Sequence, residues 1–295
     1  MKLLAPNRGF MKTRKNRKRG GANAAKVAEK PKDLCQCINS VTQKGCQQEA
    51  QHGSIFCEEH QGCPGSPRSG YEPKYEPEKY NGDNTVYKSH NCYSYSMNVI
   101  DPKLVTLCKK ANGSSCRQNF HQPGALNGDR FALNRTERRT CPVVEKLQKA
   151  DVSGIEKTDF YSKCSAGKSK IALVVDEGED YHYYRQDADG MWSHKDGSNK
   201  VKRYDALKRP IFNPETAARD YRWQNSDLNY EDFCGFYCVP RDAEVHLGRG
   251  GASSAGLGWK AGKTLRRRAQ AAGAREKEKR SRRRRQSRRR QSRRL

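Results

Sequence analysis

The sequence predicts an α+β fold, in which a helix-bearing half precedes an antiparallel sheet. Three observations lead to this prediction: a helical segment begins near residue 91, strand-like runs follow between residues 170 and 240, and turn-forming residues separate those runs. The middle of the chain, residues 34–248, holds 29 basic and 29 acidic residues and is neutral. We therefore expect the folded body to lie in this middle part.

The two ends of the chain are strongly basic. Residues 1–33 carry a net charge of +9 and residues 249–295 a net charge of +17, which together give the formal charge of +26. Neither end has enough apolar residues to offset the entropy of ordering it, so alone we expect both to be disordered. The sequence thus predicts basic arms over residues 1–34 and 243–295.

Several classes of protein are excluded by the pattern of apolar residues. No apolar run reaches the roughly 18 residues of a transmembrane helix. The start, residues 1–6, is too short and too quickly basic for a signal peptide. Without a secretion signal, the twelve cysteines need not form a disulfide framework. In a reducing compartment, metal binding and catalysis are better explanations of them than disulfides.

Residues 35–63 are predicted to form a small zinc knuckle. The expected ligands are Cys37, Cys46, Cys57 and His60. Their C-x8-C-x10-C-x2-H spacing suits a tetrahedral zinc ion with three thiolates and one imidazole, and four protein ligands make the zinc structural. Cys35 could replace Cys37, and Cys63 or His52 could compete. Disulfides or free thiols among these cysteines are the alternative interpretation.

A linker over residues 64–84 leads into a body over residues 85–242. The prolines of the linker recur every fourth residue, which forbids a helix and favours extended chain along a surface.

In the body, a helix is predicted from Asn91 or Cys92 to the residues before Pro102. Strands are predicted over residues 170–175, 181–185, 191–195 and 232–240. Cys234 and Cys238, four residues apart on the last strand, are expected to point the same way and to pack or form bridges.

Cys92, His182 and His194 are the candidate catalytic residues. A thiol at a helix start gains thiolate character from the helix dipole, and histidines on paired strands can touch. Such a set would supply a nucleophile, a base and a group that orients the base. The alternative is a buried thiol and two histidines of the core.

The order of a cysteine on a helix, then a histidine and a polar residue on successive strands, resembles the papain-like clan, especially NlpC-type cell-wall hydrolases. The resemblance covers residues 90–196. It implies a papain-like body, helix plus antiparallel sheet, with Cys92 as nucleophile, His182 as base and His194 as the orienting residue.

The arginine-rich tail is a candidate binding segment for nucleic acid or protein partners, because its charge can neutralise many phosphates. The residues expected to make these contacts are Arg266, Arg267, Arg268, Arg282, Arg283, Arg284, Arg285, Arg288, Arg289 and Arg290.

Several segments together resemble an uncharacterised virion-associated family of large double-stranded DNA viruses. These segments are residues 14–21, the knuckle, and residues 63–67, 90–95, 121–128, 180–187, 192–197 and 233–240. The resemblance implies a structural virion protein, a minor capsid component made in the host cytoplasm. Its arms would bind neighbouring capsid proteins or viral DNA. The alternative function is a papain-like cysteine hydrolase, a peptidase or cell-wall amidase, and the sequence leaves open whether the protein is an enzyme.

Overall fold

The computed structural model describes residues 28–111, 116, 119–129, 133, 139–224, 226–241 and 247–248. The helices are α1 Glu78–Asn81, α2 Asn84–Ser89, α3 Cys92–Ser96, α4 Pro102–Lys110 and α5 Cys141–Asp151. The strands are β1 Glu156–Thr158, β2 Lys168–Asp176, β3 Asp180–Gln186, β4 Trp192–Lys195, β5 Val201–Lys202 and β6 Asp232–Pro240. Short 3₁₀ turns cover Glu58–His60 and Arg222–Gln224. Within these residues, no helix is both long and apolar enough to cross a membrane.

The six strands form one antiparallel sheet in the order β1-β6-β2-β3-β4-β5. Helices precede this sheet in the chain, so the predicted α+β class is confirmed. The four predicted strands correspond to β2, β3, β4 and β6. Their apolar and aromatic runs made them visible in the sequence, whereas β1 and β5 are too short to carry such a pattern.

Helix α3 begins at Cys92, as predicted, but it ends sooner than the sequence suggested. The Asn91 side chain accepts a hydrogen bond from the Ser94 amide, and the Ser94 hydroxyl accepts one from the Asn91 amide. This reciprocal cap fixes the helix start. The helix stops because Asn98 adopts a left-handed conformation with φ of 59°, and a new helix then starts at Pro102.

The sheet has an apolar core on each face. Side chains that alternate along β2 show the division: Ile171, Leu173 and Val175 face helices α3 and α5, whereas Ala172 and Val174 face the opposite side. The second face is covered by side chains from the cysteine-rich segment (residues 35–63) and from the long connection between β5 and β6. These covering residues are Ile38, Ile211, Ala217 and Tyr230. Both faces of the sheet are therefore buried.

A β-bulge in β6 corrects the expectation for Cys234 and Cys238. The pairing with β2 shifts between Leu173 and Val174, opposite Gly235, whose φ is 139°. One additional residue in a strand reverses the alternation beyond it. Cys234 therefore reaches α5 and bonds to Cys141, whereas Cys238 bonds to Cys164 before β2. The two cysteines do form bridges, but they point to opposite faces.

All twelve cysteines lie among the described residues, and eight of them form disulfides. The pairs are Cys37–Cys63, Cys108–Cys116, Cys141–Cys234 and Cys164–Cys238. The expectation that metal binding and catalysis would explain the cysteines better than bridges is wrong for these eight. Sequence separations of 93 and 74 residues in the last two pairs show why no local spacing revealed them.

The predicted linker has no regular structure over residues 64–77, apart from turns and bends, before α1 begins. It lies against the end of β3, since the Ser66 carbonyl accepts a hydrogen bond from the Gln186 side chain at 2.9 Å. The Pro73 carbonyl accepts another from the Ala188 amide, also at 2.9 Å. Its last residues form α1, which the sequence did not predict. Most of the two basic arms lies outside the described residues.

Candidate functional site

The cysteine-rich segment (residues 35–63) is a compact loop with little apolar core of its own. Isolated bridges join Ile38 to Gly45 and Leu34 to Glu49, and the Cys46 amide donates to the Cys37 carbonyl at 2.9 Å. Its buried apolar cluster consists of Cys35, Cys37 and Cys57. Sulfur atoms therefore take the place that aliphatic side chains occupy in a larger domain.

Four side chains of this segment converge on one point: Cys35, Cys46, Cys57 and His60. Their ligand atoms all lie within 4.8 Å of one another. The Cys46 and Cys57 sulfurs are 3.9 Å apart, and the Nδ1 atom of His60 lies 3.0 Å from the Cys57 sulfur and 3.8 Å from the Cys35 sulfur. This Cys3His cluster could hold a metal ion.

The predicted ligand set was wrong at one position. Cys37 does not join the cluster, because its Cα lies 5.9 Å from that of Cys63 and the two sulfurs are bonded. A sulfur in a disulfide cannot act as a thiolate ligand, so Cys35 takes its place. Spacing alone could not choose between two cysteines separated by one residue.

The distances between these atoms suit a tetrahedral ion. Bonds of about 2.3 Å from zinc to sulfur place neighbouring ligands roughly 3.8 Å apart, whereas a disulfide needs about 2.05 Å. Burial raises the pKa of the Cys35 thiol to about 11, so its thiolate needs a nearby positive charge at neutral pH. A metal ion is the kind of group that supplies this charge.

The cysteine-rich segment is fixed to the body mainly through Gln36. Its side-chain amide donates to the Pro210 carbonyl at 3.0 Å, and its oxygen accepts from the Phe212 amide at 2.8 Å. The ring of Phe56 packs edge-on against Phe212 with 4.9 Å between centroids. The segment that carries the four converging ligands is therefore hydrogen-bonded to and packed against the body.

Cys92 lies on the face of the sheet that carries the helices. It is 5% exposed, and its sulfur lies 4.0 Å from the Tyr181 carbonyl, in the same apolar cluster as Tyr181 and Tyr183. Burial raises the pKa of this thiol, followed in importance by the nearby Asp180 carboxylate. The expected thiolate character at the helix start is therefore wrong: α3 has only five residues, and desolvation outweighs its weak dipole.

His182 and His194 do meet. The Nε2 atom of His182 lies 2.8 Å from the Nδ1 atom of His194, and both rings are buried. His182 follows Tyr181 in β3, so its side chain points to the sheet face opposite Tyr181, toward Tyr230 and the second core. Among the described residues, no hydrogen bond joins the Cys92 sulfur to either histidine.

A carboxylate that the sequence analysis missed completes the histidine cluster. Asp196 Oδ1 lies 3.0 Å from His194 Nδ1 and 3.5 Å from His182 Nε2. The signal was present in the sequence, because residues 194 and 196 are two apart and so share a face of an extended chain.

The ten arginines predicted to contact partners lie outside the described residues. They are Arg266 to Arg268, Arg282 to Arg285 and Arg288 to Arg290.

Comparison with known proteins gives one informative match. No family model matches the chain, and no solved structure matches it. Over 173 residues, however, the chain is 31% identical to "Insoluble matrix shell protein 1" of Ruditapes philippinarum. The match covers 59% of this chain and 94% of that protein.

This match overturns the function predicted from the sequence. The relative is a shell matrix protein, so the predicted minor capsid function, with its hydrolase alternative, is wrong, as are the capsid and viral DNA partners and the virion location. The arms supported the predicted DNA partner, but a cationic segment attracts any polyanion and does not specify nucleic acid. The resemblances to a viral family and to papain-like hydrolases stay predictions. With 94% of the relative's length covered at 31% identity, the chain belongs to the family of insoluble matrix shell protein 1.

Proposed function

We propose that this protein is a structural component of an insoluble extracellular matrix of the shell type. The observation that carries the proposal is the match to insoluble matrix shell protein 1 along almost all of that protein's length. A structural role also agrees with a body whose two sheet faces are both covered.

The disulfides support an extracellular location. Four bridges persist only in an oxidising compartment, and two of them close long loops of the body. Bridges of this length stabilise chiefly by restricting the unfolded chain, typically by 2–4 kcal/mol each. A matrix protein that cannot be replaced once assembled benefits from such stability.

The basic tail is the part best suited to matrix assembly. Its net charge of +17 over residues 249–295 attracts polymers that carry carboxylates or sulfates. We propose that the body is a compact anchor and that the tail binds anionic matrix polymers. This attraction should weaken as salt rises, because exposed charges are screened beyond about 10 Å at 0.1 M ionic strength.

Sedimentation with a sulfated polymer tests this function. The oxidised full-length protein is mixed with dextran sulfate or with uncharged dextran and centrifuged. We expect pelleting with dextran sulfate only, and its loss at 1 M salt, at which the screening length is about 3 Å. A full-length variant with Arg→Gln at the ten tail arginines named above should pellet less, because its formal net charge falls from +26 to +16. Equal pelleting of this variant, or no pelleting of the natural sequence, contradicts the proposal.

Within this function, we propose that Cys35, Cys46, Cys57 and His60 hold a structural zinc ion. Support comes from the near-tetrahedral separations of their ligand atoms and from the shortage of apolar core around them. Four protein ligands leave no open position on the metal, so the ion would stabilise the segment and take no part in catalysis.

We also propose that the body is a papain-like scaffold used without catalysis. The support is the order of elements, a helix that begins at Cys92 followed by an antiparallel sheet, although His182 and His194 lie on the sheet face opposite Cys92. Support for the absence of catalysis comes from the buried thiol and its raised pKa. Iodoacetamide at pH 6 should leave Cys92 unmodified in the folded protein, while rapid selective alkylation would show an active nucleophile.

A further inference from the structure

His182, His194 and Asp196 share one face of the sheet because of strand register. Tyr184 pairs with His194 across β3 and β4, so the same register places His182 opposite Asp196. Residues two apart in an extended chain point the same way, which brings all three side chains together. On the next strand, Lys202 pairs with His194 and joins the same face. Backbone pairing of three neighbouring strands therefore holds the cluster rigidly.

The hydrogen bonds of His194 leave an electron pair aimed into this cluster. Its Nε2 atom lies 3.0 Å from the Tyr204 carbonyl, which can only accept, so Nε2 carries the proton. In the neutral ring, Nδ1 then offers a lone pair, and Asp196 Oδ1 lies 3.0 Å from it. Two acceptors this close repel each other unless they share a proton or a metal cation, and His182 Nε2 lies 2.8 Å from the same Nδ1.

The separations within the cluster match those of metal ligands. The three distances are 2.8 Å between the ring nitrogens, 3.0 Å from His194 to Asp196 and 3.5 Å from His182 to Asp196. Bonds of about 2.0–2.2 Å to an octahedral or tetrahedral ion place adjacent ligands about 2.8–3.6 Å apart. Two imidazoles and one carboxylate form a set that divalent transition metals prefer.

The cluster is accessible from one side. The side chains of His182 and His194 are 3% and 0% exposed, whereas that of Asp196 is 31% exposed. The second oxygen of Asp196 binds the Lys202 ammonium group. The charge of Lys202 also opposes a cation, so it sets the affinity of the site.

We propose that His182, His194 and Asp196 form a second metal site, which binds a divalent first-row transition metal ion and is separate from the Cys3His cluster. Three protein ligands leave at least one position for water, reached from the exposed side of Asp196. Unlike the Cys3His site, this one would exchange its ion with the solvent and would need no thiolate.

Cobalt binding to the oxidised full-length protein tests the proposal. Bound Co²⁺ is counted by mass spectrometry after dialysis, and thiolate-to-cobalt absorption reports the Cys3His cluster separately. The Asp196→Asn variant should bind one Co²⁺ ion fewer than the natural sequence, or should bind the ion of this site about 100-fold more weakly. The thiolate-to-cobalt absorption should be unchanged. The matched control is Asp227→Asn, which alters an exposed carboxylate and should change neither quantity.

A gain of affinity keeps the test decisive if Asp196→Asn does not fold. Lys202→Met removes the opposing charge and should tighten binding of this ion about ten-fold. Lys149→Met, on the exposed side of α5, should leave the affinity within two-fold. Equal ion counts and affinities for Asp196→Asn and Asp227→Asn would overturn the proposal. Unchanged metal affinity in Lys202→Met would also overturn the proposal. The same holds if nuclear magnetic resonance shows a doubly protonated His194 ring at saturating Co²⁺ or Zn²⁺.

Discussion

The cysteine-rich segment and the sheet body reach their folded states by different physical means. In the segment, the buried cluster consists of Cys35, Cys37 and Cys57. In the body, aromatic and aliphatic side chains fill two cores, one on each face of the sheet. Sulfur chemistry can order a chain too short to bury much apolar surface, whereas a long chain can rely on packing.

The two regions nevertheless depend on each other. Ile38 of the segment packs in the second core of the body, and Gln36 hydrogen-bonds to the backbone beyond β5. The sheet therefore completes one of its faces with a region that is itself held by sulfur atoms. Four experiments sharpen this difference between the regions.

Chelation should have the largest effect, concentrated in the segment. Structural zinc contributes on the order of 10 kcal/mol to the folding of small sites, so removing it should abolish amide protection there. With disulfides kept intact, the amides of Gln36 and Cys46, bonded to Ile55 and Cys37, should exchange as in an unfolded peptide. Hydrogen exchange in the body, at Leu173 and Tyr183, should change much less, because these residues lie on the sheet face away from the segment. Unaltered protection of Gln36 and Cys46 under chelation would show that hydrogen bonds and the disulfide suffice.

A core substitution should act on the body as a whole. Phe236 is 3% exposed and contacts Trp192 and Phe160 with ring centroids 5.5 and 5.7 Å away. Phe236→Ala should lower the free energy of unfolding by about 4 kcal/mol, through lost transfer energy and an unfilled cavity. Tyr71→Ala, at a site 45% exposed, should cost less than about 1 kcal/mol in the same urea titration. Similar losses in both variants would mean that the second core is not the main source of stability.

Acid should destabilise the body through His90. Burial, the main cause, lowers the pKa of His90 to about 4 with help from the nearby His121 and Lys195, against the opposing effect of the hydrogen bond to Val86. The ring is held neutral, with Nδ1 donating to the Val86 carbonyl and Nε2 accepting from the Asp101 amide. The unfolded chain therefore binds more protons than the folded one between pH 4 and 6.5, so stability falls as pH falls through this window.

The expected loss from His90 is on the order of 3 kcal/mol across the window. His90→Gln should flatten the dependence of unfolding free energy on pH, measured by urea denaturation at pH 7 and pH 4.5. His52→Gln, an exposed histidine of the cysteine-rich segment, should leave it unchanged. The same slope in His90→Gln as in the natural sequence would assign acid sensitivity to other groups.

Loss of the Gln36 side chain should have the smallest effect, confined to the contact between the regions. Gln36→Ala leaves the Phe212 amide and the Pro210 carbonyl without their partner, at a cost of about 2 kcal/mol. Limited proteolysis should then release the segment before the body unfolds. Gln47→Ala, an exposed glutamine bonded to the Gly45 carbonyl nearby, is the matched control and should behave as the natural sequence. Simultaneous cleavage of both regions in Gln36→Ala would indicate a single cooperative unit.

The sequence by itself determined the local features. The alternating and apolar runs of β2, β3, β4 and β6 predicted strands, and Asn91 predicted the start of α3, because side-chain periodicity and helix capping are local properties. The proximity of His182 and His194 followed from the same hairpin pattern. The concentration of cysteine and histidine over residues 35–63 likewise indicated a Cys3His cluster.

Only the tertiary structure decided which of these residues act together. A disulfide with Cys63 removed Cys37 from the ligand set, and a bulge opposite Gly235 sent Cys234 and Cys238 to opposite faces. The disulfide has no signature within a few residues, and a glycine such as Gly235 marks a place where a strand can bulge without fixing its register. Burial likewise reversed the expected pKa shift of Cys92, because desolvation depends on the neighbours that packing supplies and not on the residue's place in the chain.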